Sequence, residues 1–298
     1  MTSPTEPAGP DTPDDTTAAP SVEFGLAGRP PIVRVEYERH RTPVPILDAP
    51  VVALTLAVTL AFLMFVLIEP TPGWIALAGA VAAAAGTDRV LRFARPRPVE
   101  LGIDPTPQVL LPALYALAAP VMVEELARGW WTLLAALGAG LGFGAIVLAQ
   151  THSVRPHEQW LAFARPVTSA AVYVTAFALF SLTYVFELGL AAALAAVALA
   201  AGLLAVELLR DGQADLSDTI AFGGVVALVV TQLRWALHYV PLDGYLAALA
   251  LLLAFFLTGG LLHAHLTLQL RRAVVVQYVA VSALGGVLII GARSAGLA

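Results

Sequence analysis

The sequence predicts an all-α fold, a polytopic transmembrane helix bundle of about nine spans. Its composition supports this prediction, because 59% of the residues are hydrophobic, only 12% are charged and the mean hydropathy is +0.81. One water-soluble core cannot hide that much apolar surface. Nine stretches are also apolar and long enough to enter a bilayer, at residues 51–68, 73–91, 107–121, 131–149, 167–186, 189–208, 219–238, 244–265 and 274–291. Helices are expected because lipid offers no partner to an unpaired backbone amide.

Two segments precede the transmembrane domain, which we assign to residues 51–298. Residues 1–28 are rich in Pro, Thr and acidic residues, and we expect them to be a disordered cytoplasmic tail because they can bury little apolar surface. Residues 29–50 alternate arginine with apolar residues such as Val33 and Tyr37. That mixture indicates an interfacial segment on anionic headgroups or, alternatively, a solvated linker.

The arginines predict the orientation of the bundle. With a cytoplasmic N-terminus, only Arg128, Arg234 and Arg293 fall outside. The other thirteen fall inside: Arg29, Arg34, Arg39, Arg41, Arg89, Arg92, Arg95, Arg97, Arg155, Arg165, Arg210, Arg271 and Arg272. Because cytoplasmic loops carry the excess of positive charge, the N-terminus is expected inside and the C-terminus outside. Omitting the third span would weaken the split to 11 against 5, so nine crossings fit better.

The third and fourth spans carry residues that affect helix geometry. Pro107, Pro112 and Pro120 make the third the expected place for a broken or re-entrant helix. The fourth interleaves two GxxxG spacings, formed by Gly138, Gly140, Gly142 and Gly144. Small residues let helix backbones approach closely, so these glycines predict helix packing.

The segment PVMVEELARG, residues 120–129, contains Glu124, Glu125 and Arg128. It resembles the first signature of the bacterial CAAX-protease and bacteriocin-processing (CPBP) family of intramembrane proteases, which is Glu-Glu, three residues and then Arg. The resemblance implies that neighbouring carboxylates activate a water while the cation holds an oxyanion. In this chain two residues separate Glu125 from Arg128, instead of three.

A second signature of that family is an aromatic residue, three residues and a histidine. Here Trp235 and His238 are separated by two residues. The resemblance therefore implies an intramembrane hydrolase with an incomplete motif set, whose catalytic candidates are Glu124, Glu125, Arg128 and His238. By the predicted topology, all four share the outer face.

A structural interpretation of the same segment needs no chemistry. Pro120 is expected at the first position of a helix, because its ring suits that position. Glu124 and Glu125 would then lie near the positive end of the helix dipole, with Arg128 three and four residues later.

Histidines near two span ends suggest a second kind of site. His152 and His157 follow the fourth span, and His263 and His265 close the eighth. Imidazoles gathered on the inner face can bind a divalent metal, and the candidate ligands are His152, His157 and His263. Residues two apart on a helix point about 200° away from each other, so His263 and His265 cannot both reach one ion. Interfacial polar residues are the alternative interpretation.

Other charged groups lie near span ends. Arg234 is about one turn from the outer end of the seventh span, where its side chain can reach the headgroups. If it faces the bundle instead, its expected partner is Glu124, Glu125 or Glu187. Asp88 with Arg89 and Arg92, and Glu207 with Arg210, are predicted to form interfacial ion pairs.

The residue inventory narrows the class of function. The chain has no Cys, so it can form neither a disulfide nor a thiolate metal site. It has no nucleotide-binding motif and no basic nucleic-acid surface, and we expect neither ligand and no cofactor. Ionisable residues within spans are sparse, which favours a structural or apolar-ligand role over ion-coupled transport.

We therefore expect a non-enzymatic role, as a small-solute permease or as a structural or assembly component of a membrane complex. The absence of Lys and Asn indicates a GC-rich prokaryotic genome, so the predicted location is the cytoplasmic (inner) membrane of a prokaryote. The expected partners are the lipid bilayer and either other membrane subunits or a small apolar ligand.

Overall fold

A computed structural model of the chain describes residues 49–68, 73–94, 109–154, 158–210 and 216–295. The described residues form nine helices and no strand, which confirms the predicted all-α bundle. The helices are α1 (Ala49–Leu67), α2 (Gly73–Ala94), α3 (Leu110–Leu126), α4 (Trp131–Val154), α5 (Glu158–Val185), α6 (Leu190–Leu209), α7 (Leu216–Leu237), α8 (Gly244–Leu266) and α9 (Arg272–Ser294). The predicted tail, 1–28, and residues 29–48 lie outside the described residues.

Eight of these helices are long and apolar enough to cross a membrane. The remaining one, α3, has 17 residues and contains Pro120. It begins and ends later than the predicted third span, and the helix continues through Pro120 to Leu126. Buried residues on both sides of that proline, among them Ala118 and Met122, keep the helix packed into the bundle.

Glycine contacts show the directions in which the first four helices run. Gly140 of α4 lies against Thr59 of α1, and Gly144 lies against Thr55. The residue numbers rise along α4 while they fall along α1, so the two helices are antiparallel. On α2, Gly79 lies against Ala61 and Gly86 against Leu54, so α1 and α2 are also antiparallel. Consequently α2 and α4 run in the same direction, and α3 carries the chain back between them. This geometry agrees with a ninth crossing.

The four glycines of α4 therefore differ in role. Gly140 and Gly144 allow the close approach of α1, and Gly142 lies against the Tyr115 hydroxyl of α3. No atom of another described element approaches the Gly138 position within 4 Å. The predicted packing role is confirmed for three of the four.

Three clusters of buried apolar residues lie in the bundle, and two of them join most of its helices. The larger contains residues of α5, α6, α7 and α8, among them the buried Phe180, Leu204, Val230 and Phe255. The smaller joins α1, α2, α3 and α4 and is formed by Val51, Val58, Phe62, Ala83, Val90, Ala116, Phe143 and Val147. The last helix, α9, packs on α8 and leaves most of its apolar side chains exposed, as a lipid-facing helix does.

The bundle has two faces, and alternate helices end at each of them. We call the first face the one at which α2, α4, α6 and α8 end, and the second face the one at which α1, α3, α5, α7 and α9 end. A hydrogen bond of 3.3 Å between Gln150 near the end of α4 and Glu207 near the end of α6 agrees with this grouping. On α6 and α7, Gly202 lies against Ala227 and Val206 against Gly223, in reversed order.

Candidate functional site

The Glu-Glu-Arg motif lies at the second face, at the end of a helix. Glu124 and Glu125 occupy the last turn of α3, and Arg128 follows the helix. The expected helix beginning at Pro120 is therefore wrong, because the residues before Pro120 already form a buried helix. The two acids consequently lie at the negative end of the α3 dipole, which destabilises their negative charges.

A groove of about 510 Å³ opens beside this motif, between the ends of α1 and α3 and the start of α4. Glu124, Arg128 and Trp130 line it together with residues of α1 and α4. Gly129 has a positive φ of 65°, a conformation that glycine adopts without strain, and so turns the chain from α3 into α4. Among the described side chains, neither glutamate forms an ion pair with Arg128.

The other two catalytic candidates are placed differently. Glu125 is exposed and does not line the groove. His238 follows α7 at the second face, where its ring lies 5.4 Å from the ring of Tyr239, and it does not line the groove either. The structure therefore brings Glu124 and Arg128 to one groove without the histidine.

A separate apolar pocket of about 200 Å³ lies between α3, α4 and α5. Its lining residues are small or apolar: Tyr115, Ala118, Ala119, Met122, Val123, Leu126, Ala127, Ala135, Ala139, Val174, Thr175 and Ala178. Leu126 and Val174 are also exposed on the outside of the bundle, so the pocket adjoins the lipid-facing surface. Ala127 lines both the pocket and the groove.

Both hydroxyl groups in the pocket wall are bonded to backbone. Tyr115 donates to the carbonyl oxygen of Ala139 at 3.0 Å, and Thr175 donates to that of Ala171 at 2.7 Å. The pocket thus presents an almost wholly apolar surface. The sequence did not reveal it, although the clustered alanines of α3 and α4 are the residues that leave the space.

Arg234 is directed into the bundle and is 4% exposed. Its guanidinium carbon lies 4.1 Å from the centre of the Tyr184 ring, a cation–π contact between α7 and α5. No described carboxylate forms an ion pair with it. The expected partners Glu124, Glu125 and Glu187 are therefore wrong, and an aromatic face takes their place.

Among the described residues, the predicted pairs of Asp88 with Arg92 and of Glu207 with Arg210 are formed, whereas Arg89 lies over the Phe93 ring. Asp88 and Arg92 are exposed and 2.8 Å apart, as expected of an interfacial pair. Glu207 is 3.2 Å from Arg210 but is itself only 2% exposed. Its predicted interfacial position is wrong, because α6 directs this side chain toward Gln150 of α4.

The histidine hypothesis concerns the first face. In the last turns of α4 and α8, His152 Nδ1 lies 2.8 Å from the Leu148 carbonyl oxygen, and His263 Nδ1 is buried. His157 lies outside the described residues, so the metal site of His152, His157 and His263 stays a prediction. Within the described part of the chain, no group of three or more His, Asp or Glu side chains is arranged to hold a metal ion.

Comparison with known proteins assigns a family. No curated protein and no solved structure matches the chain. A family model described as "Protein of unknown function (DUF5656)" matches residues 51–292, a range that begins in α1 and ends in α9. The match covers most of the chain, and the protein therefore belongs to the DUF5656 family.

Proposed function

We propose that this protein has a non-enzymatic role in which the bundle holds a small apolar ligand in the α3–α4–α5 pocket. Such a role suits a small-solute permease or a structural or assembly component of a membrane complex. The single observation that carries the proposal is the apolar pocket of about 200 Å³ beside the lipid-facing surface.

The chemistry of the pocket selects the ligand. Apolar cavities stay dry and take up apolar molecules, and a cavity of about 150 Å³ is large enough for benzene. A pocket of about 200 Å³ has room for a somewhat larger molecule or for a short length of acyl chain. Because Tyr115 and Thr175 donate their hydroxyl hydrogens to backbone carbonyls, a polar ligand would lose its hydrogen bonds to water and gain few in return.

The positions of the buried charges also favour this role over ion-coupled transport. Glu207 and Arg234 are the buried ionisable side chains among the described residues. Because Val206 lies against Gly223, Arg234 is about 17 Å farther along α7 than the level of Glu207. The two charges therefore lie toward opposite faces, whereas coupled transport is expected to place carboxylates near the midplane.

For the orientation, we propose that the first face is cytoplasmic and that the membrane is the inner membrane of a prokaryote. The 13 to 3 distribution of arginine supports this arrangement. The described residues of the first face include Arg89, Arg92, Arg210, Arg271 and Arg272.

A photoreactive apolar probe tests the pocket. The purified protein, reconstituted in vesicles, is labelled with adamantyl diazirine, and the labelled peptides are identified by mass spectrometry. We expect saturable labelling of α3 to α5, above the non-saturable labelling of the lipid-facing α9. Ala178→Leu, which fills the pocket, is expected to remove the saturable part.

Ala192→Leu, on the exposed surface of α6, is the matched control and is expected to leave the labelling unchanged. The proposal fails if labelling of α3 to α5 does not saturate, or if Ala178→Leu and Ala192→Leu behave alike.

The CPBP-like hydrolase is the second candidate function. The observation in its favour is that Glu124 and Arg128 line one groove, where a carboxylate and a cation can act on the same molecule. This hypothesis requires His238 or another proton-transfer group to reach the groove.

A further inference from the structure

A group of buried hydrogen-bond donors lies where α5, α7 and α8 meet near the second face. Four atoms in this group are buried and have no hydrogen-bond partner among the described residues: Nε and Nη1 of Arg234, the Tyr184 hydroxyl and Oγ1 of Thr231. Buried polar groups in proteins are nearly always hydrogen-bonded, so several unpaired ones in one place require an explanation.

The three side chains come from two helices. Thr231 and Arg234 are three residues apart on α7, and residues at that spacing share one face of a helix. The Arg234 guanidinium lies over the Tyr184 ring of α5, 4.1 Å from its centre. Tyr184 in turn lies against Gly244, the first residue of α8, where a side chain larger than hydrogen would collide with it.

Thr231, like Thr87 of α2, differs from most of the helical threonines in its bonding. Five of them donate to the backbone carbonyl four residues earlier, at 2.6 to 3.0 Å: Thr55, Thr59, Thr168, Thr175 and Thr258. The Thr231 hydroxyl makes no such bond to Ala227. Its hydrogen therefore remains available to a partner beside Arg234.

The charge of this group is also unbalanced. A guanidinium stays protonated in proteins and only donates hydrogen bonds. The Tyr184 ring presents its weakly negative face to the flat side of the Arg234 guanidinium. The N–H bonds of Nε and Nη1 lie in the plane of the guanidinium, so the ring accepts no hydrogen bond from them. Glu187 lies three residues beyond Tyr184, is exposed and does not form an ion pair with Arg234. A bound anion would supply both the missing charge and the missing acceptors.

We propose that Arg234, Thr231 and Tyr184 bind an oxyanion, the phosphate or carboxylate group of a ligand that enters from the second face. The guanidinium donates charge-assisted hydrogen bonds to the anionic oxygens, and the two hydroxyls donate to the same group. Either an anionic lipid headgroup or a free anion has this chemistry. The site is separate from the apolar pocket, and it does not depend on that pocket holding a ligand.

The test measures the melting temperature of the full-length protein in a neutral maltoside detergent. In one arm inorganic phosphate is titrated, and in the other phosphatidylglycerol is added at increasing ratio. We expect a saturable rise in melting temperature in at least one arm. Phosphatidylglycerol alone would identify a headgroup site, and inorganic phosphate would identify a site for free anions. No saturable rise in either arm would overturn the proposal.

Variants connect the response to the proposed residues. Arg234→Gln is expected to weaken the apparent affinity about 10- to 100-fold, because it removes charge-assisted hydrogen bonds. Arg293→Gln, an exposed arginine in the last turn of α9 at the same face, is the matched control and is expected to leave the affinity unchanged. The proposal is wrong if Arg234→Gln responds as the wild type does, or if both variants lose the response equally.

Two variants retain the charge and decide the question if Arg234→Gln does not fold. Thr231→Val and Tyr184→Phe each remove one neutral donor and keep the shape of the side chain. Each is expected to weaken binding roughly two- to tenfold. Unchanged affinity in both would exclude the site.

Discussion

Gln150 and Glu207, which are 57 residues apart in the chain, share a buried hydrogen bond of 3.3 Å from Nε2 to Oε1. The bond joins the ends of α4 and α6 at the first face, and Arg210 donates to the other carboxylate oxygen at 3.2 Å. A carboxylate this deeply buried needs such partners, because an uncompensated charge in a protein interior costs several kcal/mol.

Replacing Gln150 by Leu should therefore destabilise the bundle. The variant removes a hydrogen bond to a charged group, and we expect a loss of about 1.5–3 kcal/mol in the free energy of unfolding. Unfolding by a denaturing detergent measures it. Gln269→Leu, in the exposed connection after α8, is the control and should change stability by less than about 0.5 kcal/mol. Equal effects of the two substitutions would contradict the importance of this bond.

Two glycines of α4 should respond in opposite ways to the same substitution. A methyl group at Gly140 would collide with Thr59 of α1, so Gly140→Ala is expected to cost about 1–3 kcal/mol. Gly138 has open space around it, and Gly138→Ala should stabilise the helix by up to about 1 kcal/mol. The thermal unfolding of both variants in detergent provides the comparison. A stabilised Gly140→Ala variant would show that α1 and α4 are not packed closely there.

Neutralising the acids at the end of α3 should stabilise the protein slightly. Glu124→Gln and Glu125→Gln each remove a negative charge from the negative end of the helix dipole, which should contribute about 0.3–1 kcal/mol. Asp218→Asn has the opposite geometry, in the first turn of α7, and should lower stability by a similar amount. The melting temperatures of the three variants test the direction of each change in stability.

The double variant Glu124→Gln with Glu125→Gln also compares the two functional hypotheses. In the non-enzymatic role it should leave the phenotype of the host unchanged. In the hydrolase, loss of a general base should lower activity about 10²- to 10⁴-fold while the protein stays folded. A folded double variant with a complete loss-of-function phenotype would refute the non-enzymatic proposal.

Single cysteines can test the orientation cleanly, because the wild-type sequence contains none. Arg271→Cys, at the first face before α9, should be shielded from an impermeant thiol reagent in intact cells. Asp243→Cys, at the second face before α8, should be labelled, and both should react after the membrane is permeabilised. Labelling of the Arg271 site from outside would contradict the proposed orientation.

The helical architecture was predictable from sequence because it depends on local properties. A run of about 20 apolar residues must become a helix in lipid wherever it lies in the bundle, since only a helix satisfies its backbone within one segment. The spacing of the glycines within α4 is also a local property, so their packing role was predictable too. It does not identify the neighbour of each glycine, and only the structure showed that Gly140 faces α1 while Gly138 faces none of the described elements.

The candidate sites were less predictable, because they depend on which way each helix is turned. Around a membrane helix nearly every side is apolar, so hydrophobicity does not indicate which side faces the bundle. The sequence alone therefore determined that Arg234 and Glu207 lie near helix ends. Only the tertiary structure decided that both are buried, one against Tyr184 and the other against Gln150, because those contacts join residues distant in the chain.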